Sequence, residues 1–495
     1  MSVTTTSTPV ETATSVTPVE MGATAAEIDA SCRPPVLFFF TSAGVWLVLA
    51  TVLGLLASIQ LVAPQFLSGC PVLTFGRLRP VAENALLYGF ASQAAYGVLI
   101  WMLCRLGRVT LCCQFPYLVA GAFWNIGVTL GVIGIFAGMS TSFKWLEFPR
   151  LAGPILFIAH MVIAVAALVS FHSRRERNVY VSQWYLVGGL FWFAWIYSAS
   201  YLLLNSVQVR GVLQGVVNAW YMNNFLMLWL GSIGLASIYY FLPKLLGRPL
   251  YSRGLAVFSF WAYAFFANWT CFGALVGGPF PAWMISTSIG ANLMLLLPLV
   301  GMALNWYQTI DGDMDTIKRT PLLNFTVASA AFFLLANVLQ ILLSFRSVSM
   351  VTSFTYAWGA YHTFFIFGFF ALAVFAAIYY AVPRLTNIAW PSEQLIKLHF
   401  GATAGGTLLA GIGLLIAGIV QGQGINNPNV TFHDVLRSTN IWLILAALGG
   451  ALIAAGQVAF LLNLLKLART HSEPFRRSAI AFVTGNDAPI AGVKR

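Results

Sequence analysis

Long apolar runs, separated by short basic or turn-rich segments, organise the chain from residue 36 onward. They lie near 36–63, 81–104, 112–139, 151–171, 180–205, 213–243, 254–276, 282–309, 322–345, 352–383, 395–420 and 438–465. A bilayer core of roughly 30 Å takes about 20 helical residues, so each run is long enough to cross once. The pattern therefore predicts an all-α integral membrane protein with twelve transmembrane helices. An even number of crossings places both termini on one side. Residues 1–34 are rich in Thr, Ser, Pro and Val and carry Glu11, Glu20, Glu27 and Asp29. They read as a disordered leader without the basic start and apolar centre of a signal peptide. Residues 35–468 then form one membrane domain, and 469–495 a basic tail.

Composition agrees with this division. With 59% hydrophobic and 8% charged residues and a mean hydropathy of +0.82, the chain has too little polar surface to coat a soluble domain. The net charge of +12 would suit a nucleic-acid partner, but its distribution says otherwise. Only Arg77, Arg79, Lys144, Arg150, Arg210, Arg346 and Arg437 fall on the face opposite the termini, and the other nineteen of the 26 basic residues lie on the face that carries them. By the positive-inside bias both termini are cytoplasmic, in a bacterial inner membrane, and the partner of the basic residues is the lipid bilayer, with no nucleic acid. The six cysteines form no C-x-x-C pair and no C-x-x-C-H sequence, so neither a disulfide framework nor covalently attached haem is expected.

Several motifs in order carry a more specific message. FGRLRP spans Phe75–Pro80, WLEFP spans Trp145–Pro149, and WYMNN opens a segment that runs on through YYFLPK to RPLYS at Ser252. IYYAVP follows at Ile378–Pro383. Together they resemble subunit I of the C-family (cbb-type) haem-copper cytochrome c oxidases, and the likeness extends from about residue 36 to 465. The resemblance implies a twelve-helix bundle holding a low-spin haem, a high-spin haem and a copper, with reduction of dioxygen by electrons from cytochrome c.

The same resemblance exposes what is missing. Low-spin haem iron takes two axial ligands, high-spin haem one, and copper several imidazoles. Where the family has the low-spin haem histidine after RLRP, this chain has Ala82, followed by Glu83. The first copper histidine is replaced by Asn223, the family tyrosine of the seventh span by Ala267, and its histidine pair by Gly273 and Ala274. In the tenth span the family H-x-H, one histidine for each haem from opposite faces of the helix, becomes Tyr361 and Thr363 with His362 between them. At 100° per residue His362 points away from both ligand directions, and it reads as a helix histidine hydrogen-bonded to a neighbouring span. The bulky Phe364, Phe365, Ile366 and Phe367 that follow either fill vacated haem volume or face lipid. Only His160 joins His362 deep in a predicted span; His172, His399, His433 and His471 fall at ends, loops or the tail.

Some of the family pattern persists. Arg77 and Arg79 stand where family arginines meet haem propionates, and Glu147 matches an acidic residue that helps hold a calcium there. The plainer reading is that these arginines cap span ends and pair with carboxylates. The expectation is no copper and no cofactor, or at most one haem on Tyr361 or His362. The chain then serves as a catalytically degenerate scaffold, bound to other membrane subunits with c-type cytochromes among the candidates. An active terminal oxidase with unusual ligands is one alternative. A channel or carrier using emptied pores, lined by Asn223, Asn224 and Asn268, is the other.

Overall fold

The computed structural model describes residues 22–207 and 209–484, with side chains to residue 470. No strand occurs among them. Twelve helices are long and apolar enough to cross a membrane: α1 Ala25–Val62, α2 Phe75–Gly107, α3 Phe115–Phe136, α4 Ala152–His172, α5 Val181–Ser206 and α6 Val212–Leu246. The second six are α7 Arg253–Leu275, α8 Ala282–Ile310, α9 Pro321–Ser344, α10 Ala357–Thr386, α11 Glu393–Ile425 and α12 Phe432–Thr470. Each apolar run in the sequence corresponds to one of them.

The ends depart from expectation. Helix α1 starts at Ala25, inside the stretch expected to be disordered. Thr24 and Glu27 form a reciprocal capping box across its first turn, which satisfies two backbone donors that a helix start leaves open. Asp29 is then buried, accepting from Trp101 Nε1 at 2.9 Å and facing Arg105 at 3.5 Å. The remainder of the expected leader, residues 1–21, lies outside the described residues. At the other end the last helix runs on to Thr484, through much of the expected tail, and residues 485–495 lie outside the described residues.

Three helices form the centre. The apolar windows of α2, α6 and α10 are 94%, 100% and 94% buried, against 28–56% for the other nine. A helix that is apolar on every side and faces lipid on none is a core helix. Each of the three widens into a π-helical segment, at Ala85–Ala91, Phe225–Leu230 and Phe364–Ala371. These segments begin within three residues of Ala82, Asn223 and Thr363, so the irregular backbone follows positions that the resemblance assigns to ligands. Such bulges are common at functional sites. A fourth, Leu202–Ser206, ends α5.

Candidate functional site

Helix α10 divides the site in two. Tyr361 and Thr363 leave it in different directions, and their surroundings differ in kind.

On the Tyr361 side the space is filled. Asn223 is the hub of a polar network that joins α6, α7 and α9. Its Oδ1 accepts from Thr270 Oγ1 at 3.0 Å and Gln340 Nε2 at 3.2 Å. Its Nδ2 donates to the Ala267 carbonyl at 2.9 Å and Asn224 Oδ1 at 3.3 Å. That carbonyl is available because the regular part of α7 stops at Ala267, before a tight turn at Thr270–Leu275, and terminal helix carbonyls lack partners of their own. Asn224 passes the network to Asn268 at 2.9 Å, which also accepts from Trp220 Nε1 at 3.2 Å. The asparagines are thus spent on one another. Gly273 is buried, and a Cβ there would stand 2.9 Å from Ser344 Cβ; Ala274 is half-buried. The rings of α10 fill the rest. Phe365 and Phe369 lie 5.0 Å apart, Phe333 is 4.7 Å from Phe369, and Tyr361 is 5.9 Å from Phe365. Phe364 and Phe365 are buried in protein, which answers the choice between lipid and interior for those two.

On the Thr363 side a cavity of about 350 Å³ remains. Ala82 of α2 and Thr363 of α10 both line it, so it occupies the side to which the family assigns the low-spin haem. Its wall is mostly apolar, with small residues such as Ala50, Gly54, Ala410, Ala446 and Gly450 among larger ones such as Leu55, Leu414 and Leu443. Phe367 and Ile366 border it without closing it. The rim is polar. Arg79 pairs with Glu83 at 2.9 Å, and Lys144 lies 3.9 Å from the same carboxylate. Trp145 Nε1 donates to Glu83 at 2.9 Å.

His362 corrects one expectation. It faces this cavity, stacked edgewise on Trp145 with ring centroids 5.1 Å apart, and makes no hydrogen bond to a neighbouring span among the described residues. Thr363 returns its hydroxyl to the Gly359 carbonyl at 2.8 Å. The Tyr361 hydroxyl is buried with no hydrogen-bond partner. His399 corrects another: it is fully buried inside α11 and bonded to Tyr379 at 2.9 Å and Gln457 at 3.2 Å. His160 is likewise buried, facing Tyr96 Oη at 2.8 Å and the Leu190 carbonyl at 3.0 Å.

The loop Ala137–Leu151 covers the rim. Trp145 holds a left-handed φ of +66°, unusual for a bulky residue, and its carbonyl accepts from Tyr88 Oη at 2.6 Å. Glu147 in the same loop is buried and accepts from Asn84 Nδ2 at 2.6 Å. Burial raises its pKa to about 7, opposed by the Asn84 hydrogen bond and reinforced by the nearby Glu83 charge. Arg77 caps the end of α3, donating to the Phe136 carbonyl at 2.7 Å. Sequence reasoning singled out Arg77, Arg79 and Glu147 but missed Lys144 and Gln340, for which the only signal was a polar residue beside or within an apolar run.

The donor set bears directly on metal chemistry. At the positions that the resemblance assigns to copper stand an amide, a glycine and an alanine, and at those it assigns to haem a methyl, a phenol and a hydroxyl. Among the described residues no group of three or more His, Cys, Asp and Glu side chains converges as a metal site.

Residues 35–452 match the family described as Cytochrome C and Quinol oxidase polypeptide I. The chain is 26% identical over 435 residues to a cbb3-type cytochrome c oxidase subunit CcoN1 from Stutzerimonas stutzeri, covering 85% of this chain and 91% of the relative. A cytochrome c oxidase subunit 1 homolog from Azorhizobium caulinodans is 24% identical, covering 87% and 81%. Among solved structures, a heme-copper terminal oxidase dimer determined by cryo-EM superposes with a TM-score of 0.69 at 14% identity, over 90% of this chain and 84% of that one.

Proposed function

Because the chain belongs to the Cytochrome C and Quinol oxidase polypeptide I family and is a cytochrome c oxidase subunit I-like integral membrane protein, we propose that it is a catalytically degenerate member. In this reading it keeps the subunit I scaffold and has given up dioxygen chemistry. One observation carries the reading. Asn223 has all four of its hydrogen-bonding capacities committed to Thr270, Gln340, Ala267 and Asn224, so no lone pair is left for a metal at the position where the family binds copper.

The haem positions support the same conclusion. Ala82 offers no donor atom, Thr363 is bonded into its own helix, and the Tyr361 phenol is packed among the rings of Trp358, His362 and Phe365. His362 is the one unengaged imidazole on the cavity and serves one iron at most. The arginines follow the plainer reading, Arg79 paired with Glu83 and Arg77 on a helix end. Glu147 as a calcium ligand is not favoured, since its carboxylate holds an amide donor and Lys144 stands beside it. A channel lined by Asn223, Asn224 and Asn268 is not favoured either, because those side chains bond to one another.

The scaffold is expected in a bacterial cytoplasmic membrane, docked with other membrane subunits, and any c-type haem would come from such a partner. A pyridine haemochrome spectrum, elemental analysis and an oxygen electrode test the proposal on the purified chain. The expected result is less than about one-tenth haem and copper per chain and no cytochrome c-dependent oxygen consumption. Stoichiometric haem with copper overturns it.

A further inference from the structure

We propose that the cavity beside Thr363 is a binding site for a single-chain amphiphile with an anionic head, carboxylate or phosphate, whose apolar body lies between α1, α11 and α12. The inference rests on the reading that no haem occupies this side.

Three features of the cavity converge on that ligand class. The wall contributed by α1 extends from Ala50 to Leu61, about 16 Å at 1.5 Å per residue, and faces small residues of α12. This makes a long apolar slot. Its volume of about 350 Å³ falls at the low end of ordinary ligand sites, enough for one chain. A Cβ on Gly450, which borders the slot, would meet nothing within 4 Å, so the slot has open space at that point.

The head end is rich in donors. Arg79 and Lys144 bring two positive charges to the rim, where Glu83 pairs with both and Glu147, a carboxyl raised to about 7, lies beside them. Trp358 lines the same end of the cavity, with its own Nε1 buried away from it. His362 adds an imidazole without a hydrogen bond among the described residues. A donor shut away from water is stabilised by an acceptor, so the cationic rim and the unengaged imidazole call for an acceptor-rich partner. A carboxylate or phosphate supplies several acceptors and offsets the net positive rim, which a neutral hydrocarbon or an ammonium head would not do. The ends are also in the right order, with charge at the loop Ala137–Leu151 and apolar wall toward the middle of α12. This is the orientation an amphiphile holds in a bilayer.

The test uses the full chain purified in detergent and first shown to lack haem, with the fluorescent fatty acid cis-parinaric acid as probe. Saturable binding of one probe per chain is expected, with the methyl ester at least tenfold weaker. Gly450→Phe should abolish the signal while leaving the melting temperature within about 2 °C, because the ring enters open space. Lys144→Met should bring acid and ester within about twofold of each other. Lysophosphatidic acid and unlabelled oleate as competitors identify the head: displacement by either supports the site and names the source. Absence of saturable binding, equal affinity for the ester, or binding undiminished in Gly450→Phe overturns the inference. Stoichiometric haem in the starting protein instead overturns the degenerate-subunit reading, so the two failures are separable.

Discussion

The two sides of α10 started from related demands and ended differently. Beside Tyr361 the volume is taken by aromatic rings, and the amide groups join a network around Asn223 that leaves the Tyr361 hydroxyl and Gln340 Oε1 without partners. Beside Thr363 a cavity remains between small and larger apolar side chains, and the polar groups at the rim pair only in part. On the degenerate reading proposed above, loss of ligand side chains does not by itself determine the fate of a site. What matters is whether the neighbouring residues supply both the missing volume and the missing hydrogen bonds, since tight packing leaves few voids unless something maintains them.

The sharpest way to break this comparison is to restore ligands on each side. Ala82→His with Thr363→His places two imidazoles on the open cavity and is expected to yield protein with about one low-spin haem per chain, read from its visible spectrum after haem-supplemented expression. Asn223→His with Gly273→His and Ala274→His is expected to bind no copper and to accumulate poorly, because any side chain at 273 runs into Ser344. Copper uptake by that triple variant would show that the filled side is more plastic than its packing implies.

Glu147 gives the next largest effect, through the loop that covers the open side. Its carboxyl is raised from 4.5 to about 7 in the folded protein by burial. A raised carboxyl favours folding while it is protonated, so that contribution is complete below about pH 4.5 and lost progressively up to about pH 7. A shift of this size corresponds to about 3 kcal/mol. Denaturation followed across pH 4.5–8 should show that fall in the native sequence, and Glu147→Gln should flatten it.

Smaller effects follow from the polar groups themselves. Asn223→Leu strands the partners on three helices and is expected to cost about 2 kcal/mol, since interhelical hydrogen bonds in membranes are individually modest. Thr363→Val removes only a bond within its own helix and should cost less than about 0.5 kcal/mol. Thermal unfolding in detergent reads both. Equal losses would mean that the two sides of α10 are no different in energetic terms.

Much of the fold was legible from hydropathy because a bilayer admits few solutions. Backbone polar groups cannot be left open in hydrocarbon, so an apolar run of sufficient length has to be a helix. The start of α1 escaped that logic. Glu27, Asp29 and two prolines resemble a leader, and only the burial of Asp29 against Trp101 and Arg105 shows why a helix forms there. His399 was misplaced for a similar reason, since its position near a predicted helix end says nothing about Tyr379 and Gln457 on other helices. His362 was assigned from an ideal helix rotation, and the residues of the cavity came from contacts that no periodicity records.

The amino-acid sequence by itself determined the number of crossings and the family, because these are local properties of composition and motif. Only the tertiary structure decided which side closed and which stayed open. Volume and hydrogen bonds are completed by residues as far apart in the chain as Asn223 and Gln340, or Ala82 and Gly450, and their meeting depends on how twelve helices pack.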